Sequence, residues 1–249
     1  MIMPRNLLCV VLVMAVCGCL PAQDHAGSVK AAAVTPSVTF SLDRPALEPH
    51  YYTISVDAIG RGSYQIAPAQ TGESGVSKGS RVSQDSVVSE GAPEIVTFTM
   101  DPATVRHVFE LARQTDYFRG DFDYRKHRIA DTGSKTLAYA DASRAGRTAY
   151  NWSENSAIAE LTRIFTGVAA TLDFAPRLEY LLAHDKLGLD QELGNMERLA
   201  VSGELAELQI VAPVLQRIAA DTSVMNVARE RARRLLQHAG LPLSASSQP

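Results

Sequence analysis

The sequence predicts an α+β fold, an antiparallel sheet with packed helices followed by an all-helical C-terminal subdomain. Two observations carry this. Up to Trp152 most apolar residues alternate with polar ones at a period of two, as in strands with one face on a core. Beyond Trp152 they recur at spacings of three and four, as in amphipathic helices. Strands gathered ahead of helices, rather than alternating with them, favour an antiparallel sheet.

The first strand starts near Ser37, where Val38, Phe40 and Leu42 alternate with Ser37, Thr39 and Ser41. Over 51–57, Tyr52, Ile54 and Val56 share a face, and Ile59-Gly60-Arg61-Gly62 supplies the turn to a third short strand at 63–67. Residues 68–93, rich in Gly, Ser, Gln and Asp, read as a long exposed loop with one marginal strand around Val82, Val87 and Val88. Ile95-Val96-Thr97-Phe98 marks a fourth strand over 94–100. Asp101-Pro102 then opens a helix to Gln114, with Val105, Val108, Phe109 and Ala112 as its apolar stripe. A charged loop over 119–133 leads to a second hairpin, 135–140 and 147–152, turning over 141–146. Trp152, the only tryptophan, reads as the end of a strand packed against the next helix, with Ser153 or Asn155 as cap.

Ile158, Leu161, Phe165, Val168 and Leu172 form the first long helical stripe, started by Asn155 or Ser156. Pro176 is expected to open a separate helix with Leu178, Leu181 and Leu182. Asp190 is expected to cap a helix with Leu193, Met196 and Leu199, ended by Gly203. Pro213 opens one with Val214, Leu215 and Ile218, and Asp221-Thr222 caps the last, ended by Gly240.

The N-terminus reads as a secretory leader. Arg5 precedes an apolar run at 7–16, about ten residues, too short to span a bilayer and the right length for a signal-peptide core. Two processing routes stay open. Val16-Cys17-Gly18-Cys19 allows acylation of Cys19, the candidate lipidation site, and Ala22 allows ordinary cleavage. All three cysteines, Cys9, Cys17 and Cys19, lie in this leader, so neither route leaves a disulfide and stability must come from burial. The domain reading is a signal peptide at 1–22, cut before Cys19 in a lipoprotein; a flexible tether at 23–36; an α+β domain at 37–173; a helical subdomain at 174–240; and a disordered tail at 241–249.

Removing residues 1–18 removes Arg5 and no acid, leaving 23 Lys plus Arg against 27 Asp plus Glu, a net charge of −4. That balance speaks against nucleic acid, which favours a basic domain. The expected partner is a protein or envelope component, with membrane contact only through a lipid on Cys19.

No catalytic, cofactor-binding or metal constellation stands out. Asp131-Thr132-Gly133-Ser134 is the single catalytic candidate. It resembles the active-site turn of pepsin-like and retroviral-type aspartic proteases, in which two such aspartates activate a shared water. Here the turn follows the charged stretch Arg125-Lys126-His127-Arg128, and the triplet has no second copy. A tight turn into the next strand accounts for it. Asp121, Asp123, His127 and Asp131 place four metal-type donors close together, but Lys126 and Thr132 stand where a calcium loop needs glycine and a bidentate acid. A solvated loop of mixed charges fits better. The six histidines are scattered, with no HExxH.

Residues 215–236 resemble one unit of a HEAT-type helical repeat, and one unit alone reads as a small helical cap. Arg229, Arg231, Arg233 and Arg234 read as a solvated face. Ser41 to Arg44 with Tyr52 to Asp57, Ala130 to Leu137, and Tyr150 to Asn155 carry a resemblance to a group of uncharacterised exported bacterial proteins, which implies no chemistry. The expected function is therefore an exported, envelope-associated, periplasmic or lipid-anchored protein acting as a non-enzymatic binding or interaction module. The alternative is an aspartic-type hydrolase using Asp131 as a homodimer.

Overall fold

Alternation of apolar and Ser/Thr residues gives strands with one dry face, and the computed structural model arranges six of them in one antiparallel sheet. It describes residues 35–45, 49–66 and 95–243. The leader with Cys19, the tether through residue 34, the loop read over 68–93 and the tail from residue 244 lie outside the described residues.

The strands are β1 (Ser37–Asp43), β2 (Tyr51–Asp57), β3 (Arg61–Ile66), β4 (Ile95–Thr99), β5 (Ser134–Ala140) and β6 (Ala145–Tyr150). Their spatial order is β4-β3-β2-β1-β5-β6. β1 lies inside the sheet, with Phe40 opposite Ile54 on one side and Leu137 on the other. Val38, Phe40, Ile54, Val56 and Leu137 are fully buried on one face. On the opposite face Thr39 and Ser55, and Ser41 and Thr53, share hydroxyl hydrogen bonds of 3.1 Å across the strand pair. Burying a side chain such as Phe40 contributes about 1.5–3 kcal/mol, so the period of two sets which face is covered.

Two helices cover the apolar face. The first, α1 (Pro102–Gln114), is capped as the sequence predicts, Asp101 Oδ1 accepting from the Ala103 N–H at 2.8 Å. It buries Val105, Val108, Leu111 and Ala112. The second, α2 (Ser156–His184), is capped by Asn155, whose Oδ1 accepts from the N–H groups of Ala157 and Ile158. Phe165 of α2 stacks on Phe40 at a centroid distance of 5.5 Å.

Pro176 does not open a new helix; it lies within the single 29-residue α2. A proline inside a helix removes one hydrogen bond and crowds the preceding turn, at about 3 kcal/mol. Continuous burial outweighs this: Leu172 and Phe174 lie on one side of Pro176 and Leu178 on the other, all in cores. The sheet core includes α2 as far as Leu172, and a second, helical core takes Phe174 and Leu178. That second core is completed by α3 (Gly188–Val201), α4 (Ala212–Ala220) and α5 (Asn226–His238). Among the described residues no helix is long and apolar enough to cross a membrane.

Several element ends differ from the sequence reading. Arg61 and Gly62 belong to β3 rather than to the turn before it. The Phe98 ring lies across Gly62, where an added Cβ would come within 2.3 Å of its outer edge, so a side chain at this strand position would displace that ring. In the second hairpin, β6 starts at Ala145 and not at Arg147, because Asp141 closes a four-residue turn. Its Oδ1 accepts from the Ser143 and Arg144 N–H groups. Asp190 sits in the first turn of α3 and caps nothing, and Asp221 accepts from Ser223 ahead of α5 instead of capping it. Gly203 and Gly240 end α3 and α5 as predicted, each left-handed, with the following N–H reaching back to Leu199 and Leu236.

Candidate functional site

The YNWSEN segment starts at Tyr150, the last residue of β6, and the charged loop 119–133 folds against it. Asn151 joins them. Its Oδ1 accepts from the Thr132 N–H and Thr132 Oγ1, both at 2.9 Å, and its Nδ2 donates to Ala130 O at 2.9 Å. Its backbone N–H donates to Asp123 Oδ1 at 2.9 Å. Lys135, on β5, donates from Nζ to Asn151 O at 2.8 Å, Thr132 Oγ1 at 2.9 Å and Gly133 O at 3.1 Å. All three ammonium hydrogens are thereby engaged. Burial pushes the Lys135 pKa below its ordinary value, with the Asp131 charge acting in the opposite direction. A loop with no helix or strand is thus tied down at both ends of one amide side chain.

The aromatic residues sit on this frame. The Tyr124 N–H donates to Trp152 O at 2.8 Å, and the two rings meet edge to face, 4.9 Å apart at 89°. Trp152 is 46% exposed, so the reading of a tryptophan packed under the following helix is corrected. The strand ends two residues earlier, and α2 starts only at Ser156, which leaves the indole beyond the cover of both. Three hollows surround the pair. One of about 270 Å³ lies between Trp152, Lys135, Tyr150, Ala159, Thr162 and Thr166. Another of about 270 Å³ lies between Trp152, Tyr124, Ile129, Ala130 and Thr132. The largest, about 520 Å³, runs from Phe122, Tyr124 and Lys126 to Ser153, Glu154 and Asn155.

Charge at this surface is largely paired. Lys126 meets Glu154 at 2.7 Å, which raises the lysine pKa, and its ammonium stands 5.9 Å from the Tyr124 ring centre. Arg125 bridges Asp121 at 3.0 Å and Asp123 at 3.5 Å. The acids considered for metal binding are therefore engaged by arginine and by main-chain N–H groups, and the His127 ring lies 6.2 Å from that of Tyr124. Asp131 is exposed, its Oδ1 accepting from the Gly133 N–H at 2.9 Å in the turn that enters β5. The arrangement suits recognition, with a rigid aromatic edge for stacking and apolar hollows for insertion.

Two placements were not legible in the sequence. Asp173 of α2 accepts from the Tyr64 hydroxyl at 3.0 Å, across 109 residues of chain. Burial raises the Asp173 pKa, while the Tyr64 bond and the charges of Arg177 and Arg44 oppose it. An acid between Leu172 and Phe174 was the only available signal. Arg231 and Arg234 of the expected solvated face instead bind acids of α3: Arg231 reaches Asp190 at 2.7 Å and Glu197 at 2.9 Å, and Arg234 reaches Glu197. Arg233 donates to Ala219 O at the end of α4.

No known protein family, curated protein or solved structure matches the chain.

Proposed function

We propose that this chain is an exported, envelope-associated protein that acts as a non-enzymatic binding module, and that Trp152 and Tyr124 with the 119–133 loop form its contact surface. The observation that supports it is the 46% exposure of Trp152 on a frame that fixes the main chain around it. A large aromatic held half in water, walled by two apolar hollows, has surface to offer a partner and little reason to be there for stability. Export rests on the basic and apolar pattern at residues 5–16. The partner class is a protein or a wall component of the envelope.

Trp152 is the single tryptophan, so its emission reports on the site directly. The test titrates the purified protein with isolated cell-wall sacculi and, separately, with detergent-solubilised envelope proteins. Co-sedimentation is followed in the wild type, Trp152→Phe and Tyr124→Ala, and Trp152 fluorescence in the wild type and Tyr124→Ala, which keep the indole. Saturable binding by the wild type that Tyr124→Ala weakens at least tenfold supports the reading. Equal retention of all three proteins, or no change in Trp152 emission on retention, would sink it.

A further inference from the structure

The polar groups around Trp152 and Tyr124 are largely spent on one another. In the hollow between Tyr124, Ile129, Ala130, Thr132 and Trp152, Thr132 gives its N–H and hydroxyl to Asn151 and accepts from Lys135, and the Ala130 carbonyl is held by Asn151. On the other side of the indole, the Thr162 and Thr166 hydroxyls donate back to Ile158 O and Thr162 O, and Arg163 is bound to Glu160 and Gly203 O. A glycan pressed onto such walls leaves many of its hydroxyls without water and without a partner, at a cost, whereas an apolar side chain gives up nothing there. Each hollow holds about 270 Å³, below the roughly 300–1,000 Å³ of pockets that enclose a whole small molecule, and so fits one inserted side chain. Charge at the rim is uneven. Of the four Lys and Arg residues in the 119–133 loop, Arg119 donates to Ala145 O, Arg125 bridges Asp121 and Asp123, and Lys126 meets Glu154. Arg128 is exposed and, among the described residues, pairs with no acid. It directly precedes Ile129 and Ala130, two walls of the hollow beside Tyr124.

Resting on the contact surface proposed for Trp152 and Tyr124, we infer that its occupant is a peptide segment of a partner protein, one apolar side chain of which enters the hollow beside Tyr124 while an adjacent Asp or Glu meets Arg128. The hollow and the unpaired guanidinium take this occupant together. Burial of a Leu or Phe side chain from water supplies most of the affinity. The hollow is already formed, because the Tyr124 N–H is bound to Trp152 O and Asn151 fixes Ala130 and Thr132, so little ordering has to accompany insertion. An exposed ion pair adds little to that affinity and acts on selection instead, favouring segments with an acid next to the anchor over those with a base there.

The test selects a display library of random peptides lacking tryptophan on the purified protein. Selected peptides and, separately, N-acetylglucosamine oligomers are then titrated against the wild type and Arg128→Glu, with Trp152 emission as the readout. Arg128 is exposed, so the variant retains the fold, which far-UV circular dichroism checks. The selected peptides are expected to share an apolar residue next to Asp or Glu and to shift Trp152 emission saturably. Serine in place of the apolar residue weakens binding about tenfold or more. Arg128→Glu weakens it about fivefold at low salt, the loss fades as salt is added, and lysine in place of the peptide's acid restores binding to the variant. Selected peptides that lose nothing on Arg128→Glu, or that tolerate serine at the apolar position, overturn the inference. A saturable shift with the oligomers and none with any peptide also overturns it, while the contact surface itself stands. If neither probe moves Trp152 emission, the contact-surface reading falls and the inference with it.

Discussion

Gly146 of β6 lies so close beneath Tyr117 that a Cβ built on it would come within 2.0 Å of the Tyr117 carbonyl oxygen. Backbone cannot yield as a flexible side chain can, and Tyr117 is fixed on its other sides. Its ring lies 4.6 Å from that of Tyr139, Arg144 sits 4.3 Å above it, and the neighbouring Phe118 is fully buried. Gly146→Ala should therefore cost about 3 kcal/mol, at the upper end for overpacking. The urea midpoint checks it, with Ala145→Gly as the neighbouring control, a loss of about 1 kcal/mol or less.

The same turn carries backbone strain. Asp116, Tyr117 and Phe118 all have positive φ, at 48°, 56° and 66°. A left-handed residue with a Cβ costs about 1–2 kcal/mol, less for Asp, and the burial of Phe118 holds the turn in place. Asp116 is exposed and its side chain bonds to none of the described residues, so Asp116→Gly relieves the strain at the cost of unfolded-state entropy. The expected result is a gain of about 0.5 kcal/mol, read as a rise in the thermal midpoint.

How far the chain could be read before its structure follows from which interactions are local. The alternation Val38, Phe40, Leu42 becomes the buried face of β1 because a strand's period is set within the strand. The Asp101 cap and the glycine ends of α3 and α5 were legible for the same reason. Pairing of β1 with β5 was not, since β4, α1 and the charged loop separate them in sequence. At the site, the ADTG and YNWSEN segments were visible as separate stretches, but their union through Asn151 and Thr132 spans 19 residues and leaves no periodic trace. Trp152 was misplaced because a tryptophan after a strand normally packs inward, and only the two-residue shift of β6 shows otherwise.

Asp173 and Tyr64 give the stability a pH dependence. The folded-state pKa of Asp173 is raised, chiefly by burial, so the folded chain holds this proton more tightly than the unfolded chain does. A raised folded pKa contributes stability that is present below the unfolded pKa and lost as pH rises through the folded one. Asparagine keeps an acceptor for the Tyr64 hydroxyl and does not titrate. Asp173→Asn should match the wild type near about pH 3 and become the more stable of the two as pH rises above the usual carboxylate range. Denaturation midpoints at a series of pH values decide it, and a gap that closes toward neutral pH would contradict the assignment. Tyr64→Phe, which leaves the carboxylate without its donor, should lower stability at neutral pH by about 1–3 kcal/mol.

Asn151 is where the frame of the proposed contact surface can be loosened while Trp152 and Tyr124 themselves stay unchanged. Its side chain alone accepts from the Thr132 N–H and donates to Ala130 O, whereas its main-chain bonds to Asp123 and Lys135 survive truncation. Asn151→Ala should therefore lower global stability by about 1–2 kcal/mol, the worth of the lost hydrogen bonds at a half-exposed site. The local effect is larger in proportion. The Thr132 amide loses its acceptor and should exchange with solvent at least tenfold faster, while amides inside β1 and β2 keep their protection. Trp152 emission should shift to the red as the loop end carrying Ala130 and Thr132 moves from the indole. Hydrogen exchange resolved by residue provides the check, and an unchanged Thr132 rate would show that Lys135, not Asn151, holds the loop.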